Sequence, residues 1–572
     1  MGIRLVHTET LRLTEFMDRN IPRYAVLSHT WEYGQEISFQ EMTAIGADPD
    51  HPAAKKPGYA KVVETCQQAR RNNIAYAWVD TCCIDKTSSS ELSEAINSMY
   101  RWYQQAEVCY VLLTDFDVAS VSLRAALPKC RWWTRGWCLQ ELVAPPREEF
   151  FDARWHHVGS KTDLAPLITE ITGIDEEVLI DNSLIDSLPV ARRMSWAAGR
   201  ETSREEDMAY CLLGIFNVSM PMLYGEGKKA FLRLQEQIIQ TSNDLSIFAF
   251  LHGTSTDGLG SGCIPLQPYC DLFAAYPSDF MGCRDLVHTR MDVHWNNAFT
   301  LTNKGIHFRR AELEVDLRHG LYCMLLNCRF SDSEPAKMYL RKVGPRLYAR
   351  YDDRHPMETT SQVNANHYED PYIITEEEIY ILPRVSCSIK RHLEHEGDHT
   401  IYVHSLTHSL SRALQVVQRS TSSDRWDAAR MQFLAKGEES FGGYWKVFPS
   451  LARRIDDDNE AGEESSSYTM PSGHFYMLCG FDRSVGDVSE VRAWVRLYSA
   501  EEWRGLEKKL GIMTNLNDVV RLTGGARAQD QIILGSGSST LKVIATIKLD
   551  IRERSRHRLE LDFQNGRDKE IS

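Results

Sequence analysis

The densest group of chemically useful side chains is the tryptophan-rich segment Trp132-Trp-Thr-Arg-Gly-Trp-Cys-Leu-Gln-Glu141. Three indole rings fall within six positions of this segment, and one carboxylate follows them. If the segment is helical, Trp137 and Glu141 are four residues apart and share a face. A ring can then stack on a planar ligand while the carboxylate stabilises a developing positive charge. The alternative interpretation is a tryptophan-rich core in which Glu141 is an exposed helix residue.

Three further polar clusters directly follow apolar, strand-like runs: Ser28-His-Thr-Trp31, Asp80-Thr-Cys-Cys-Ile-Asp85 and Thr114-Asp-Phe-Asp117. In an open parallel α/β sheet, ligands bind beyond the carboxyl ends of the strands. We therefore expect one rim, close to Glu141, to carry the candidate substrate-binding residues. These candidates are Ser28, His29, Thr30, Trp31, Asp80, Cys82, Asp85, Arg135 and Trp137. The competing interpretation is that they are ordinary loop residues and helix caps.

The elements that position these residues alternate along the first part of the chain. Apolar runs predict buried strands at 24–28, 74–79 and 108–113, with a short fourth strand at 149–151. Between them, apolar residues at a helical spacing predict helices at 61–71, 91–106 and 133–143. This alternation predicts a parallel sheet with helices on both faces, and uninterrupted apolar strands suit such burial.

Beyond this sheet the pattern changes twice. Residues 159–243 have a helical pattern, whereas short alternating segments such as Arg492-Ala-Trp-Val-Arg-Leu-Tyr498 predict a mostly antiparallel β-rich region over 244–572. The acidic, serine-rich stretch at 456–467 is expected to be a disordered loop. The predicted organisation is thus an α/β core at 1–158, a helical part at 159–243 and a β-rich region whose role is open.

Composition narrows the class of protein. The 572 residues are 43% apolar and 25% charged, which excludes a mainly disordered chain, a collagen-like chain and a coiled-coil rod. A net charge of −14 argues against electrostatic binding of nucleic acid by the chain as a whole. The absence of a long apolar run predicts no membrane span, and the 14 cysteines are interpreted as reduced thiols of a cytoplasmic protein. No metal is expected, because His392, His395 and His399 lie in a charged segment without a completing cysteine.

Several of these segments resemble a known family. Tyr24-Ala-Val-Leu-Ser-His-Thr-Trp31, Tyr76-Ala-Trp-Val-Asp-Thr-Cys-Cys-Ile-Asp85 and Arg135-Gly-Trp-Cys-Leu-Gln-Glu141 resemble the three sequence blocks of the fungal heterokaryon incompatibility (HET) domain. Downstream, 200–214 and 222–235 are similar to the helices that follow these blocks in that family. The resemblance covers roughly residues 1 to 250.

The HET domain is in turn distantly similar to the TIR (Toll/interleukin receptor) domain, which has a flavodoxin-like parallel sheet. Trp137-Cys-Leu-Gln-Glu141-Leu142 resembles the W-C-x-x-E-L segment of plant TIR domains. There the glutamate is the catalytic residue that cleaves the nicotinamide–ribose bond of NAD. The resemblance implies Glu141 as the catalytic residue, NAD or a related nucleotide as the substrate, and no cofactor. In TIR enzymes a loop at the position of His29-Thr30-Trp31 helps to bind the nucleotide. The side chains of this segment differ in chemistry from that loop, so the identity of the substrate stays open.

For the whole chain, the resemblance implies a cell-death effector of the fungal incompatibility or innate-immune type. Such a protein would be switched on by self-association or by a receptor-type partner. A different class of function is a non-enzymatic signalling scaffold that triggers cell death by recruiting partners. A third hypothesis is a small-molecule-binding regulator whose β-rich half is the sensor.

Overall fold

The structure of the chain is a computed structural model that describes most of the first half and the strands of the second half. The described residues are 2–17, 20–118, 122–250, 269–289, 298–316, 319–330, 335–351, 372–385, 400–403, 414–416, 426–430, 432–434, 440–447, 475–483, 491–510, 527–534, 541–549 and 556–565. The acidic stretch at 456–467 and the three histidines at 392, 395 and 399 lie outside them. The chain divides into two compact units, the first made of Met1–Gly262, Phe273–Leu301 and Leu326–Lys337.

The first unit is built on a seven-stranded mixed sheet. Its strands are β1 (Gly2–His7), β2 (Leu13–Met17), β3 (Tyr24–His29), β4 (Tyr76–Trp78), β5 (Val108–Leu113), β6 (Glu148–Asp152) and β7 (His157–Ser160). Their order is β2-β1-β4-β3-β5-β6-β7. The four central strands are parallel, and in chain order they run 2-1-3-4, as in flavodoxin-like sheets. The predicted parallel α/β sheet is confirmed, and its antiparallel edges β1, β2 and β7 are additional to the prediction.

Helices surround this sheet and continue beyond it. They are α1 (Phe39–Ala47), α2 (Pro57–Arg71), α3 (Asp80–Cys83), α4 (Ser89–Gln105), α5 (Leu123–Ala126), α6 (Cys138–Val143), α7 (Lys161–Thr172), α8 (Glu176–Ile180), α9 (Val190–Ser195), α10 (Asp207–Tyr210) and α11 (Lys229–Thr241). Every residue of β3 and β5 is buried, because these two strands lie in the middle of the covered sheet. The helical pattern predicted for 159–243 is confirmed by α7 to α11.

The helix starts follow from capping side chains. Helix α1 begins with a capping box, in which Ser38 accepts from the Glu41 N–H and Glu41 accepts from the Ser38 N–H. Helix α4 begins two residues earlier than predicted, because the Ser88 hydroxyl accepts from the Glu91 N–H. Helix α7 has a capping box from Ser160 to Asp163.

The helix predicted over 133–143 is the main correction to the local structure. A 3₁₀ turn spans Arg131–Thr134, and the α-helix starts only at Cys138. In between, the Gly136 N–H donates to the Glu201 carbonyl oxygen at 2.8 Å, and the Glu201 N–H donates to the Thr134 carbonyl oxygen at 2.6 Å. This pairing with a distant segment replaces helical hydrogen bonds. Trp137 is therefore the N-cap residue of α6, with helical backbone angles, and not a residue inside a helix that began at Trp133.

The second unit is β-rich, as predicted. The later strands of the chain are β8 (Leu286–His288), β9 (Phe299–Thr302), β10 (Gly305–Asp316), β11 (Leu321–Phe330), β12 (Pro335–Gly344), β13 (Leu347–Arg350), β14 (Tyr372–Ile381), β15 (Thr400–Val403), β16 (Leu414–Val416), β17 (Trp426–Asp427), β18 (Gln432–Leu434), β19 (Ser440–Val447), β20 (Phe475–Arg483), β21 (Val491–Ser499), β22 (Gln529–Leu534), β23 (Leu541–Leu549) and β24 (Arg556–Asn565). One helix, α12 (Ala500–Leu510), follows β21.

Most of these strands pair antiparallel, as β10 does with β14 and β20 with β21. Two parallel pairs, β13 with β14 and β15 with β24, are the exceptions among the described pairings. The alternating segment at 492–498 forms part of β21, and its Trp494 and Tyr498 pack with Trp503 of α12 in a small core. No helix in the described part of the chain is long and apolar enough to cross a membrane.

Candidate active site

Glu141 lies at the centre of the candidate site, in α6 at the carboxyl end of the parallel sheet. Only 6% of the residue is exposed. The hydroxyl of Ser28, from the end of β3, donates to Oε2 of Glu141 at 2.5 Å. The Tyr103 hydroxyl of α4, which donates to the Leu27 carbonyl oxygen at 3.1 Å, and the Cys138 thiol act on the carboxylate by lowering its pKa. The Ser28 hydroxyl is therefore the group that orients this buried acid.

Trp132 is the aromatic residue that is coupled to Glu141. Its Nε1–H donates to the Ser28 hydroxyl oxygen at 2.8 Å. Because Ser28 accepts from Trp132, its own proton is free to point at Glu141. The Trp132 ring is fully buried and packs edge-to-face on Trp133, with 4.7 Å between the ring centres. The sequence analysis placed Trp137 in this role and missed Trp132, although both belong to the same tryptophan-rich segment.

The surroundings of Glu141 favour its protonated form. Burial raises the pKa of Glu141 to about 8, and the negative charge of Asp80 adds to the rise. The hydrogen bonds from Ser28, Tyr103 and Cys138 lower the pKa and offset part of this effect. A carboxyl group with a strongly perturbed pKa at the binding edge of an α/β sheet is a physical indication of a functional site.

The second polar cluster divides between this site and its surroundings. Asp80 opens α3 directly after β4, and its charge acts on both Glu141 and Tyr103. Cys82 is buried, and the pKa of its thiol is raised by its hydrogen bond to Cys83 and by burial. Asp85 lies farther along, where it accepts from the Gln40 side chain at 2.7 Å and from the Thr87 hydroxyl at 2.6 Å. The contacts of Asp85 order a loop next to α1.

The first cluster leads from the buried site to the surface. His29 is buried, and its Nε2 lies 3.3 Å from Glu36, which also binds the ammonium group of Lys61 at 2.6 Å. Despite burial, these two partners lower the pKa of Glu36 to about 2. The Thr30 and Thr114 hydroxyls lie 3.2 Å apart and join the loops that follow β3 and β5. Beyond them, Trp31 is 45% exposed.

A residue from the helical part, Arg200, also belongs to this region, and the sequence analysis did not select it as a site residue. Its guanidinium group donates to the Arg135 carbonyl oxygen at 2.9 Å and to the Trp196 carbonyl oxygen at 3.2 Å. Burial lowers the pKa of Arg200 to about 10, while the charges of Cys138, Cys211 and Glu141 act in the opposite direction. The segment 200–214, which resembles a family motif, was the available signal. Arg135 and Trp137 stay half-buried, and Trp137 hydrogen-bonds Asp207.

The site contains the means for electrostatic catalysis by one carboxylate. Glu141 can face a developing cation, and the indole and hydroxyl groups around it limit its orientations. Within the described residues, no group of three or more His, Cys, Asp or Glu side chains could hold a metal ion.

Comparison with known proteins finds a family to which the first part of the chain is similar. Residues 24–128 match the family model described as "Heterokaryon incompatibility protein (HET)", a range that ends before Arg135, Trp137 and Glu141. The chain is also 47% identical over 226 residues to the vegetative incompatibility protein HET-E-1 of Podospora anserina. That alignment covers 38% of this chain and 16% of the relative's length. No solved structure gives a significant match. The N-terminal part of the chain is therefore similar to heterokaryon incompatibility (HET) domains.

Proposed function

We propose that this protein is a cell-death effector of fungal vegetative incompatibility whose HET domain cleaves the nicotinamide–ribose bond of NAD through Glu141. The match to the HET family and the similarity to a vegetative incompatibility protein support the biological role. The resemblance of 137–142 to the catalytic segment of TIR enzymes supports the reaction. The observation that carries the proposal is a buried carboxylate at the carboxyl end of the parallel sheet, oriented by the Ser28 hydroxyl.

The reaction needs little from the protein beyond this carboxylate. As the bond between nicotinamide and ribose breaks, the ribose develops oxocarbenium character, which a nearby negative charge stabilises. Nicotinamide is cationic in NAD and departs as a neutral molecule, so no general acid is required. Water then adds to the ribose carbon, releasing one proton and forming ADP-ribose. Glu141 supplies the charge, Ser28 holds its direction, and Asp80 increases the negative potential.

The raised pKa of Glu141 fits a site that receives a cation. In the empty site, burial and Asp80 favour the neutral acid. When the cationic nicotinamide ring enters, its charge favours ionisation of Glu141, because an opposite charge nearby stabilises the carboxylate. Binding energy thereby places a negative charge where the reaction develops a positive one.

The test is nicotinamide release from NAD by the purified full chain at high protein concentration, measured by chromatography. We expect Glu141→Gln to lower release by about 100-fold or more, the usual size for removing one electrostatic group from an active site. Glu149→Gln, on the neighbouring strand β6 outside the site, is the control and should retain activity. If the wild-type protein releases no nicotinamide and cell death survives Glu141→Gln in folded protein, the non-enzymatic scaffold is the better account.

We further propose that activity requires self-association or a receptor-type partner, as the resemblance to TIR enzymes implies. Specific activity should then rise with protein concentration across a wide dilution series. A constant specific activity in a protein shown to be monomeric would reject this requirement. It would leave occlusion by the β-rich region as the remaining regulatory hypothesis.

A further inference from the structure

Two cationic side chains converge on the exposed Trp31 at the same edge of the sheet. The Lys86 ammonium group lies 3.6 Å from the centre of the Trp31 ring. The Arg131 guanidinium group donates to the Trp31 carbonyl oxygen at 3.3 Å. The three residues come from three separate places, namely the loop after β3, the turn after α3 and the start of the 3₁₀ turn at Arg131–Thr134.

These two cations are available to a ligand. Lys86 and Arg131 are both exposed, and within the part of the chain that the structure describes neither forms an ion pair at 4.0 Å or less. Asp115 hydrogen-bonds Arg131, but its carboxylate accepts from the Arg131 backbone N–H at 2.8 Å and not from the guanidinium group. The surrounding protein desolvates the Lys86 ammonium group and lowers its pKa, while longer-range attraction to Asp80 and Glu36 acts in the opposite direction. Among the described residues, two neighbouring cations with no carboxylate in ion-pair range stand out in a chain with a net charge of −14.

The same residues are connected to Glu141. Arg131 directly precedes Trp132, which hydrogen-bonds Ser28 and through it Glu141. Asp80 acts electrostatically on both Lys86 and Glu141. Strands β3 and β5 are where the order of the parallel strands reverses, and ligands of open α/β sheets bind at such switch points. The cluster therefore lies at the same carboxyl edge of the parallel strands as Glu141.

We propose that Trp31, Lys86 and Arg131 form a subsite for the diphosphate and adenine of an adenine nucleotide. Lys86 and Arg131 bind phosphate oxygens, as lysine and arginine side chains commonly do. The exposed part of the Trp31 indole stacks on the base, a contact that any planar base can make. This subsite deepens the proposed function and rests on it only for the view that the bound nucleotide is NAD.

The test measures binding of ADP and of adenosine to the wild-type full chain by calorimetry. Neither probe contains a nicotinamide–ribose bond, so the chemistry at Glu141 does not interfere. Lys86→Gln and Arg131→Gln should each raise the Kd for ADP by about 10-fold, the usual effect of one charge-assisted contact, and leave adenosine binding unchanged. Trp31→Ala should weaken both probes. Lys55→Gln removes an exposed lysine of the 3₁₀ turn Pro52–Lys55 and should bind both probes like the wild type.

The outcomes separate this inference from the proposed function. The subsite is rejected if the wild-type chain binds no ADP. It is also rejected if Lys86→Gln and Arg131→Gln bind ADP as tightly as Lys55→Gln does, or if these two variants weaken the binding of adenosine as much as the binding of ADP. If ADP binding depends on Lys86 and Arg131 but NAD releases no nicotinamide, the subsite stands and the NAD-cleaving function falls. If Glu141-dependent release occurs while ADP binding ignores both cations, the function stands and the subsite falls.

Discussion

Ser28 and Glu141, 113 residues apart in the sequence, are joined by a 2.5 Å hydrogen bond in the interior of the first unit. The bond links the end of β3 to α6, and Trp132 holds the other side of the Ser28 hydroxyl. A buried carboxylate with a single fixed orientation results. The position of Glu141 therefore depends on groups that do not themselves react, and their removal should alter the chemistry without altering the acid.

Ser28→Ala should reduce nicotinamide release by about 10-fold to 100-fold, because Glu141 and the Trp132 N–H each lose a buried partner. It should also move the pH midpoint of activity upward, since the Ser28 hydrogen bond lowers the pKa of Glu141. Trp132→Phe keeps the Ser28–Glu141 bond and should cost less activity. Steady-state rates measured across pH test this prediction, with the exposed Ser90→Ala as control. An unshifted midpoint in Ser28→Ala would mean that Ser28 only supports the fold.

The pH dependence of activity should follow the ionisation of Glu141. The carboxylate is the form that stabilises a cation, and the pKa of Glu141 is about 8. We expect kcat/KM to rise as pH increases and to level off above about pH 8, because kcat/KM reports the free enzyme. A profile that falls between pH 6 and pH 8 would contradict the ionised form as the active one.

Glu141 should also make the folded protein less stable as pH rises, which is the opposite direction to its effect on activity. The pKa of a glutamate in the unfolded chain is about 4.3. A higher pKa in the folded state means that the folded protein holds the proton more tightly, so this contribution is complete below about pH 4.3 and is lost as pH rises to about 8. The stabilising effect of Glu141→Gln should therefore be larger at pH 8 than at pH 5, as measured by urea unfolding. An equal effect at both values would show that Glu141 is not perturbed.

Arg200 should act as a positioning residue for the start of α6. Its bond to the Arg135 carbonyl oxygen and the pairing of Glu201 with the segment 134–136 hold the backbone that leads to Glu141. Arg200→Gln should lower release by about 10-fold and raise the pH midpoint, because a nearby positive charge is lost. Arg200→Lys should restore the pH midpoint of activity more fully than the rate of nicotinamide release, since lysine keeps the positive charge but not the planar geometry of the guanidinium group. A lower rate with an unchanged midpoint in Arg200→Gln would limit its role to the fold.

The sequence predicted those parts of the fold and site that depend on local patterns. Strands β3 and β5 are uninterrupted apolar runs, and the polar residues that follow them were expected at one rim with Glu141. The hairpin of β1 and β2 was missed because β1 is short, with Ile3, Leu5 and Val6 as its buried residues, and β2 has no buried residue, which weakens the hydrophobic signal. Trp132, and not Trp137, hydrogen-bonds Ser28, and the predicted helix is interrupted where 134–136 pair with Glu201. Hydrophobic periodicity cannot indicate such a non-local contact. Gly136 is consistent with a close approach of another segment, since a Cβ there would lie 2.5 Å from the Thr202 side chain.

The buried ion pair of Lys161 and Glu148 should stabilise the end of α6. The Lys161 ammonium group donates to Glu148 at 3.1 Å and to the Leu142 and Pro145 carbonyl oxygens at 3.2 and 2.5 Å. Burial raises the pKa of Glu148 to about 8 even though Lys161 lowers it. Lys161→Met leaves a buried acid and two carbonyl groups without their donor, and should cost about 3–5 kcal/mol in the free energy of unfolding.

Combining Lys161→Met with Glu148→Leu should recover most of this loss, because a matched apolar pair avoids the desolvation of two charges. Urea unfolding of both single variants and the double variant provides the comparison. If the double variant is as unstable as Lys161→Met, the two carbonyl contacts, and not the ion pair, are what Lys161 contributes. In that case nicotinamide release should fall with stability in both variants, because Leu142 directly follows Glu141, Pro145 lies four residues beyond it, and loosening this segment disturbs the orientation of Glu141.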